Sequence, residues 1–205
     1  TPYYVNIATG SDSNTCKAIA TPCQHIQEAI NKAIAGDVIY VTSGTYLFSS
    51  NANPNVVTIN KNLTISGGWN PDFTSQNGMS TIDGANTNNG ILAVSGTVNV
   101  ENFVVKNSKA YNGGAVYIVN GSFSLTRSTL MNNIATQNGA GIFMDNGTLN
   151  LVNSTLSGNT ATSGGGGIYV SNNAAGSAFI QNSTIAYNTA GTGGGIRRNN
   201  GIYNI

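Results

Sequence analysis

The chain has 205 residues and a mass of 21.1 kDa, enough for one domain with a sizeable core. Only 7% of the residues are charged, against about 25% in ordinary globular proteins. Since 40% are hydrophobic, the chain is not a disordered polar segment. The net charge of +1, without a basic cluster, argues against a nucleic-acid partner, and no apolar run is long enough for a membrane-spanning helix.

The N-terminal segment contains the only two cysteines, Cys16 and Cys23, among Ser, Thr, Asn and Pro residues. They can form a disulfide, remain free thiols or bind a metal, but a metal site needs more ligands than the single histidine, His25, supplies. We favour the disulfide, and we expect no metal site. A disulfide implies an oxidising compartment and therefore export.

One amphipathic helix is predicted after the cysteines. Thr21 is the expected N-cap, Pro22 suits the first turn, and Gly36 ends the helix. Its apolar face consists of Ile26, Ala29, Ile30, Ala33 and Ile34. We interpret residues 1–37 as an N-terminal strand, a cysteine loop and a capping helix, and residues 38–205 as the repeating part of one single domain.

Residues 38–47, 56–66 and 91–100 contain short runs of alternating apolar residues, which are typical of β-strands. They are interpreted as early, less regular turns of the repeat. The stretch 67–80, with Trp69, Pro71 and Phe73, is longer than a turn needs and is predicted to project as a loop.

Two motifs recur at a nearly constant spacing in the second half of the chain. The first motif comprises GGAVYI, GAGIFM, GGGIYV and GGGIRR, which begin at Gly113, Gly139, Gly165 and Gly193 and so recur with a period of roughly 26 residues. The second comprises RSTLMNN, NSTLSGN and NSTIAYN, anchored at Leu130, Leu156 and Ile185. Two independent motifs with one period indicate a solenoid.

Each period contains short apolar alternations separated by Gly, Asn, Ser or Thr, and none could form a crossover helix. Such a coil stacks on its predecessor, so each strand pairs in parallel with its equivalent one period away, about 4.8 Å along the axis. The sequence therefore predicts an all-β parallel β-helix of about six to seven coils with an N-terminal capping α-helix.

Two stretches resemble known families. AGDVIYVTSGTY (35–46) and VVTINKNLTISGG (56–68) resemble the opening of exported members of the pectate-lyase-type superfamily, and this resemblance implies a right-handed parallel β-helix. From residue 113, the GGAV/GGGI and LxxN/IxxN elements are similar to the repeats of the chlamydial polymorphic outer-membrane proteins, with Leu or Ile where that family has Phe. Because this fold hosts lyases, hydrolases, adhesins and inert spikes, the resemblance implies no particular activity.

An asparagine follows each anchor of the second motif by three residues: Asn133, Asn159 and Asn188. Asn107 takes this place in a looser copy, FVVKN, which is anchored at Val104. Asparagines at one place in successive coils can stack as a ladder, in which each amide bonds the turn backbone and its neighbours. We predict this structural role, with ligand binding as the alternative.

Side-chain alternation predicts an aromatic strip on the outer surface. If Ile142 and Met144 point inward, the residue between them points outward, and so do the residues at the same position in the other coils. These are Tyr117, Phe143, Tyr169 and, in the last coil, Arg197. The strip could bind glycan rings or a neighbouring protein; alternatively, the rings only stack on each other, or the facing is reversed.

The acidic residues do not suggest an active site. They are Asp12, Glu28, Asp37, Asp72, Asp83, Glu101 and Asp145. A pectate-type lyase would need clustered carboxylates for calcium and a base, and a hydrolase would need two or three converging carboxylates. Asp145 is interpreted as a turn residue. The best remaining constellation is Glu101 with Lys106, Lys109 and Arg127, and it is equally consistent with a surface ion pair.

We therefore predict a non-catalytic extracellular surface or matrix protein, adhesin-like or fibre-forming, which is secreted or attached to the cell surface. The alternative is a carbohydrate-active enzyme, a polysaccharide lyase or glycoside hydrolase, or a fragment of one. No cofactor is expected. The expected partners are other copies of the chain, end to end, and glycans or other surface proteins.

Assembly is expected to involve a covering strand. The last coil begins at Gly193 and continues through Ile202 and Ile205, with no capping helix after it, and an uncovered coil exposes unpaired backbone groups. A strand formed by Tyr3, Tyr4, Val5, Asn6 and Ile7 could cover that end of another copy by β-augmentation.

Overall fold

The protein folds as a parallel β-solenoid of about six turns, with one short helix near its N-terminal end. The structure is a computed structural model that describes residues 1–47, 55–171 and 177–199. All strand pairs within its sheets are parallel, which confirms the predicted parallel β-helix. Ile202 and Ile205 lie outside the described residues.

Strand β1 (Pro2–Val5) and helix α1 (Ile26–Lys32) precede the six coils. The first coil contains β2 (Asp37–Thr42), β3 (Gly44–Tyr46) and β4 (Asn55–Ile59), and the second contains β5 (Leu63–Trp69), β6 (Ser80–Asp83) and β7 (Asn89–Ala93). The third contains β8 (Thr97–Glu101), β9 (Phe103–Lys106), β10 (Lys109–Asn112) and β11 (Val116–Ile118). The fourth contains β12 (Ser122–Thr126), β13 (Thr129–Met131), β14 (Ile134–Asn138) and β15 (Ile142–Met144). The fifth contains β16 (Thr148–Val152), β17 (Thr155–Ser157), β18 (Thr160–Ala161) and β19 (Ile168–Val170), and the sixth contains β20 (Ala178–Gln181), β21 (Thr184–Ala186) and β22 (Ile196–Arg198).

Stacking of the coils produces four sheets. Sheet 1 has the order β1-β2-β5-β8-β12-β16-β20, and sheet 2 has the order β3-β6-β9-β13-β17-β21. Sheet 3 has the order β4-β7-β11-β15-β19-β22, and the short sheet 4 is β10-β14-β18. Sheets 1, 2 and 3 form the walls around the core, whereas sheet 4 has a small separate cluster of alanines.

Backbone register fixes the length of each coil. In sheet 1, Thr97 is aligned with Ser122 and Ser122 with Thr148, so these two coils are almost equal in length. Leu149 is aligned with Ala178, which makes the next coil slightly longer. The strands remain paired through this change in length, and the extra residues therefore lie between β19 and β20.

The core consists of the inward-facing residues of the three walls. In the fourth coil these are Phe123 and Leu125 from sheet 1, Leu130 from sheet 2, and Ile142 and Met144 from sheet 3, all fully buried. Alternate residues on sheets 1 and 2 are half-buried or exposed, as the strand period of two requires.

Left-handed backbone turns the chain at the corners. Between sheets 1 and 2, Asn102, Arg127, Asn153 and Asn182 have φ between 47° and 56°. Between sheets 3 and 1, Gly121 has φ 88°, and a Cβ there would lie 2.2 Å from the carbonyl oxygen of Gly96. Only glycine fits at that corner, because the coils stack too closely for a side chain.

Helix α1 begins later than Thr21, the predicted N-cap. Its N-cap is His25, because Cys23 ahead of it is extended: its N–H donates to the carbonyl of Tyr4, and its carbonyl accepts from Asn6. The Asp12 carboxylate accepts the N–H groups of Gln24 and of the N-cap residue His25 at 3.0 Å and contacts His25 Nδ1 at 2.6 Å. It thus caps the start of the helix from outside, whereas the first helical turn receives no hydrogen bond from the N-cap side chain. The helix buries Ile26, Ala29 and Ile30.

A disulfide joins Cys16 to Cys23, with their Cα atoms 5.0 Å apart. Both residues are fully buried. The Nζ of Lys32 lies 3.8 Å from each sulfur and donates to the carbonyl of Asp12 at 2.5 Å, so Lys32 fastens the cysteine loop to α1.

The loop expected to project between residues 67 and 80 folds back onto sheet 1. Strand β5 continues to Trp69, whose ring meets that of Tyr40 edge-on at 5.0 Å. Phe73 is buried against Tyr4 at a centroid distance of 5.0 Å. Trp69 and Phe73, which lie in the predicted loop, therefore pack it against sheet 1.

Among the described residues, no helix has the length and apolarity that crossing a lipid bilayer requires.

Replacing both cysteines by serine should lower the free energy of unfolding by roughly 2–3 kcal/mol, since the bridge closes a short loop in the unfolded chain. Urea unfolding of the double variant and of the parent measures this difference. The parent treated with reductant should behave like the variant. Thiols that react with an alkylating agent in the unreduced native protein would contradict the bridge.

Acid should weaken the cap supplied by Asp12. Burial opposes ionisation of this carboxyl, but hydrogen bonds from His25 and Gln24 outweigh it and lower the pKa of Asp12 below its ordinary 3.8. Because the folded-state pKa is lowered, the carboxylate stabilises the fold above about pH 4, and this contribution is lost as the pH falls further.

Asp12→Asn should therefore be destabilised at neutral pH and should lose less further stability than the parent on acidification to about pH 3. Urea midpoints at both pH values measure the effect. Glu28→Gln, on the surface of α1, is the matched control. Equal acid sensitivity of Asp12→Asn and the parent would show that the cap does not depend on the charge.

Candidate functional site

Three of the predicted ladder asparagines stack at one corner, after β13, β17 and β21. Asn159 Oδ1 accepts two hydrogen bonds from Asn133, one from the backbone N–H at 3.1 Å and one from Nδ2 at 2.9 Å. Asn188 Oδ1 does the same for Asn159, at 3.0 and 2.9 Å. The Nδ2 of Asn159 also donates to the carbonyl of Leu130 at 3.0 Å. Asn133 and Asn159 are fully buried.

These bonds leave the side chain of Asn159 with no free group, because Nδ2 makes two donations and Oδ1 accepts twice from Asn133. A ligand could reach the amide only by displacing a neighbouring coil. The geometry favours a structural role for the ladder over the alternative of ligand binding.

The placement of Asn107 in this ladder was wrong. Ser108 occupies that position in the third coil, and its N–H donates to Asn133 Oδ1 at 3.0 Å. Asn107 is instead the corner residue before it, with φ 51°, and its Nδ2 contacts both oxygens of Asp83 at 3.2 Å. The looser copy was aligned one residue out of register, because Val105 rather than Val104 pairs with Leu130.

A second ladder, built from serines, was not predicted. Ser128 Oγ accepts the N–H of Phe103, Ser154 Oγ accepts that of Ser128, and Ser183 Oγ accepts that of Ser154, each at 3.1 Å. These serines form the corner between sheets 1 and 2. The signal was present in the sequence, since RST, NST and NST have the serine at the same place.

The predicted aromatic residues are aligned on adjacent strands of sheet 3: Tyr117, Phe143, Tyr169 and Arg197. The rings of Tyr117 and Phe143 meet edge-on at 5.0 Å, and those of Phe143 and Tyr169 stack in parallel at 5.4 Å. The guanidinium of Arg197 lies 5.9 Å from the centre of the Tyr169 ring. We call these four residues the aromatic column.

An open contact strip was expected here, but the aromatic column is largely covered. Phe143 is 6% exposed and Tyr169 is 7% exposed. The turns at Gly139 and Gly165 pack closely against these two residues. A Cβ atom at Gly139 would lie 2.8 Å from the Cβ of Phe143, and one at Gly165 would lie 2.7 Å from the Cβ of Tyr169. Burial and the nearby charge of Asp145 raise the pKa of Tyr117. The geometry fits the alternative in which the rings stack on each other.

The strand proposed for assembly is already paired on both edges. Strand β1, which contains Tyr3, Tyr4 and Val5, pairs with β2 along its length. On its other edge, the N–H of Tyr4 donates to the carbonyl of Cys16 at 2.8 Å.

The two residues after β1 are also engaged. Asn6 Oδ1 accepts the N–H groups of Ala8 and Thr9, and Ile7 packs partly against the core. The outer edge of β1 already bonds the backbone of Cys16 and Cys23, so covering another copy with this strand would require these bonds to break.

Three carboxylates of the coils, those of Glu101, Asp145 and Asp83, have specific partners. Glu101 accepts from Ser66 Oγ at 2.7 Å and pairs with Arg127. Asp145 accepts from Ser171 Oγ at 2.9 Å. In the second coil, Asp83 binds Lys106 at 3.6 Å as well as Asn107. These contacts join neighbouring coils, and such a bond is a structural use of a carboxylate.

No group of three or more His, Cys, Asp or Glu side chains that could hold a metal ion occurs among the described residues. A shallow cavity of about 450 Å³ lies beside the cysteine loop, with Lys17, Lys32 and the ring of Tyr3 in its walls. The Nζ of Lys17 lies 5.7 Å from the centre of that ring.

One comparison with known families gave a match. Residues 153–171 match the Chlamydia polymorphic membrane protein repeat. This segment runs from the corner before β17 to the end of β19 and includes the ladder residue Asn159 and the glycines before Ile168. The match supports the predicted similarity to these repeats. Comparison with curated proteins and with solved structures found no match.

We expect Asn159→Ala to lower the free energy of unfolding by about 1–3 kcal/mol, because the substitution leaves buried backbone groups of the fourth coil without partners. Asn99→Ala is the control: Asn99 is exposed on sheet 1, and its loss should cost less than about 0.5 kcal/mol. Urea unfolding of both variants checks the difference. Similar small losses would mean that the ladder adds little stability.

Proposed function

We propose that the chain is a non-catalytic, adhesin-like surface protein, whose β-helix presents outward side chains to glycans or to other surface proteins. The match to a polymorphic membrane protein repeat supports a location at the cell surface. The disulfide supports passage through an oxidising compartment.

The exposure of two aromatic side chains in the sixth coil carries the proposal. Phe179 points outward from β20 and is 61% exposed, and Tyr187, at the corner after β21, is 91% exposed. Large aromatic side chains bury about 150–250 Å² each when they are covered and dominate the energy of many interfaces. Two of them on one coil suit the contact surface of an adhesin.

The row of outward residues on sheet 1 that Phe179 continues carries no charge. Phe179 continues a row of small polar residues in register on successive strands: Thr64, Asn99, Ser124 and Asn150. Such a row presents hydroxyl and amide groups at the strand spacing of about 4.8 Å. These groups can bond a polar partner while Phe179 contributes apolar area.

End-to-end association into fibres is a second candidate. Within the described residues, β20, β21 and β22 are the last strands of sheets 1, 2 and 3. Unpaired strand edges favour further pairing, and a head-to-tail contact of this kind need not close. The low charge of the chain reduces repulsion between copies.

A carbohydrate-active enzyme is the alternative. Asp83, Glu101 and Asp145 oppose it, because each of these carboxylates is bonded to a side chain of a neighbouring coil. An assay on polygalacturonate and neutral polysaccharides, with calcium present, separates the two functions. Release of unsaturated products or new reducing ends would contradict the non-catalytic proposal.

The proposed surface can be tested by binding to immobilised neutral and acidic glycans and to intact cells. Replacing both Phe179 and Tyr187 by serine should weaken binding at least tenfold, about 1.4 kcal/mol, without changing the urea midpoint by much. Tyr111→Ser is the matched control, because Tyr111 is 66% exposed but lies on sheet 4 in the third coil.

Equal binding by the double variant and the control would exclude the sixth coil as the contact surface. Absence of binding by the parent chain to every probe would contradict the adhesin proposal itself. Sedimentation of the same samples over a range of concentrations reports self-association independently.

A further inference from the structure

Asparagine followed by glycine occurs six times within the described residues. These pairs begin at Asn77, Asn89, Asn112, Asn120, Asn138 and Asn146. In such a pair the backbone nitrogen of glycine can attack the side-chain carboxamide of asparagine, because glycine has no Cβ to obstruct the approach. The reaction also requires that this nitrogen be free of structural hydrogen bonds, so the fold should select among the six.

Four of the six glycine N–H groups are held by backbone carbonyls. Gly78 donates to Gly68 at 3.1 Å, and Gly90 donates to Gly114 at 3.1 Å. The remaining two bonds are from Gly113 to Asn138, at 3.1 Å, and from Gly139 to Gly164, at 2.9 Å. Attack by these nitrogens requires the chain to open locally first.

Gly121 is different, because its N–H donates to Oδ1 of the preceding Asn120 at 2.8 Å. The nucleophile and the carboxamide that it would attack are therefore already in contact. Asn120 is exposed, so water has access to both groups, whereas Asn146 at the equivalent corner of the next coil is half-buried. The Nδ2 of Asn146 also approaches Asn120 Oδ1, at 3.4 Å, and a donor at this oxygen polarises the carboxamide.

We propose that Asn120 is a site of spontaneous deamidation, selected by its exposure and by the contact between its carboxamide and the Gly121 nitrogen. The Gly121 nitrogen loses its proton to solvent base and forms a bond to Cγ of Asn120. The Cγ–Nδ2 bond breaks and ammonia leaves, which produces a five-membered succinimide. Water then opens the ring to aspartate or, by cleavage at the other carbonyl, to isoaspartate.

The product changes both charge and backbone at this corner. One deamidation takes the formal net charge from +1 to 0, that is +1 − 1. Isoaspartate also adds a methylene group to the main chain next to Gly121, whose carbonyl accepts the N–H of Thr148 in the following coil at 2.8 Å. The modification therefore acts on the contact between the fourth and fifth coils.

Incubation of the folded full chain in mildly alkaline buffer, followed by peptide mapping with mass spectrometry, tests the proposal. Conversion at Asn120 should be about tenfold faster than at Asn77, which is equally exposed but has its glycine nitrogen locked. In concentrated urea the two sites should react at similar rates.

Equal rates at Asn120 and Asn77 in the folded protein, or faster reaction at Asn77, would overturn the proposal. A preference for Asn120 that persists unchanged in urea would also overturn it, because the selectivity would then come from local sequence and not from the fold.

Discussion

Backbone hydrogen bonds between strands one coil apart hold this molecule together, and they require every coil to return the chain to the same position. Coils of almost equal length in the middle of the solenoid meet this requirement. The strands satisfy their own backbone groups, but the corners cannot, since a buried N–H there has no strand opposite it. Serines satisfy one corner, as Ser154 does for Ser128, and asparagines the next, as Asn159 does for Asn133. The two side-chain ladders thus extend the hydrogen bonding of the sheets around the coil.

The same requirement made the architecture predictable. A corner that requires glycine or a buried amide requires it in every coil. The residue therefore recurs with a period equal to the number of residues in a coil, and this period can be recognised in the sequence. The helix start and the loop after β5 were less accessible, because partners distant in sequence determine them. Cys23 is extended because it pairs with β1, and Trp69 lies against sheet 1 because its ring packs on that of Tyr40. Neither partner can be identified from local propensity.

At the candidate site, the sequence predicted which side chains face away from the core but not how exposed they are. Alternation correctly separated Phe143 from the core residues Ile142 and Met144, but exposure depends on what packs above a ring. The turns of Gly139 and Gly165 lie close enough to cover the column, and sequence alone does not give that distance. Asn107 was misplaced because two adjacent positions, the left-handed corner and the ladder, both accept asparagine: the fourth coil has Asn132 and Asn133 there.

The longer coil between Leu149 and Ala178 has a consequence for how such a protein can change over time. The additional residues enter between β19 and β20, and the strands on either side keep their pairs. The number of residues between β19 and β20 can therefore change without unpairing the strands on either side. Connections between strands tolerate insertions and sequence changes in this way, whereas a glycine or asparagine that satisfies a corner of the stack does not. A solenoid of this design provides a constant frame for a changing surface.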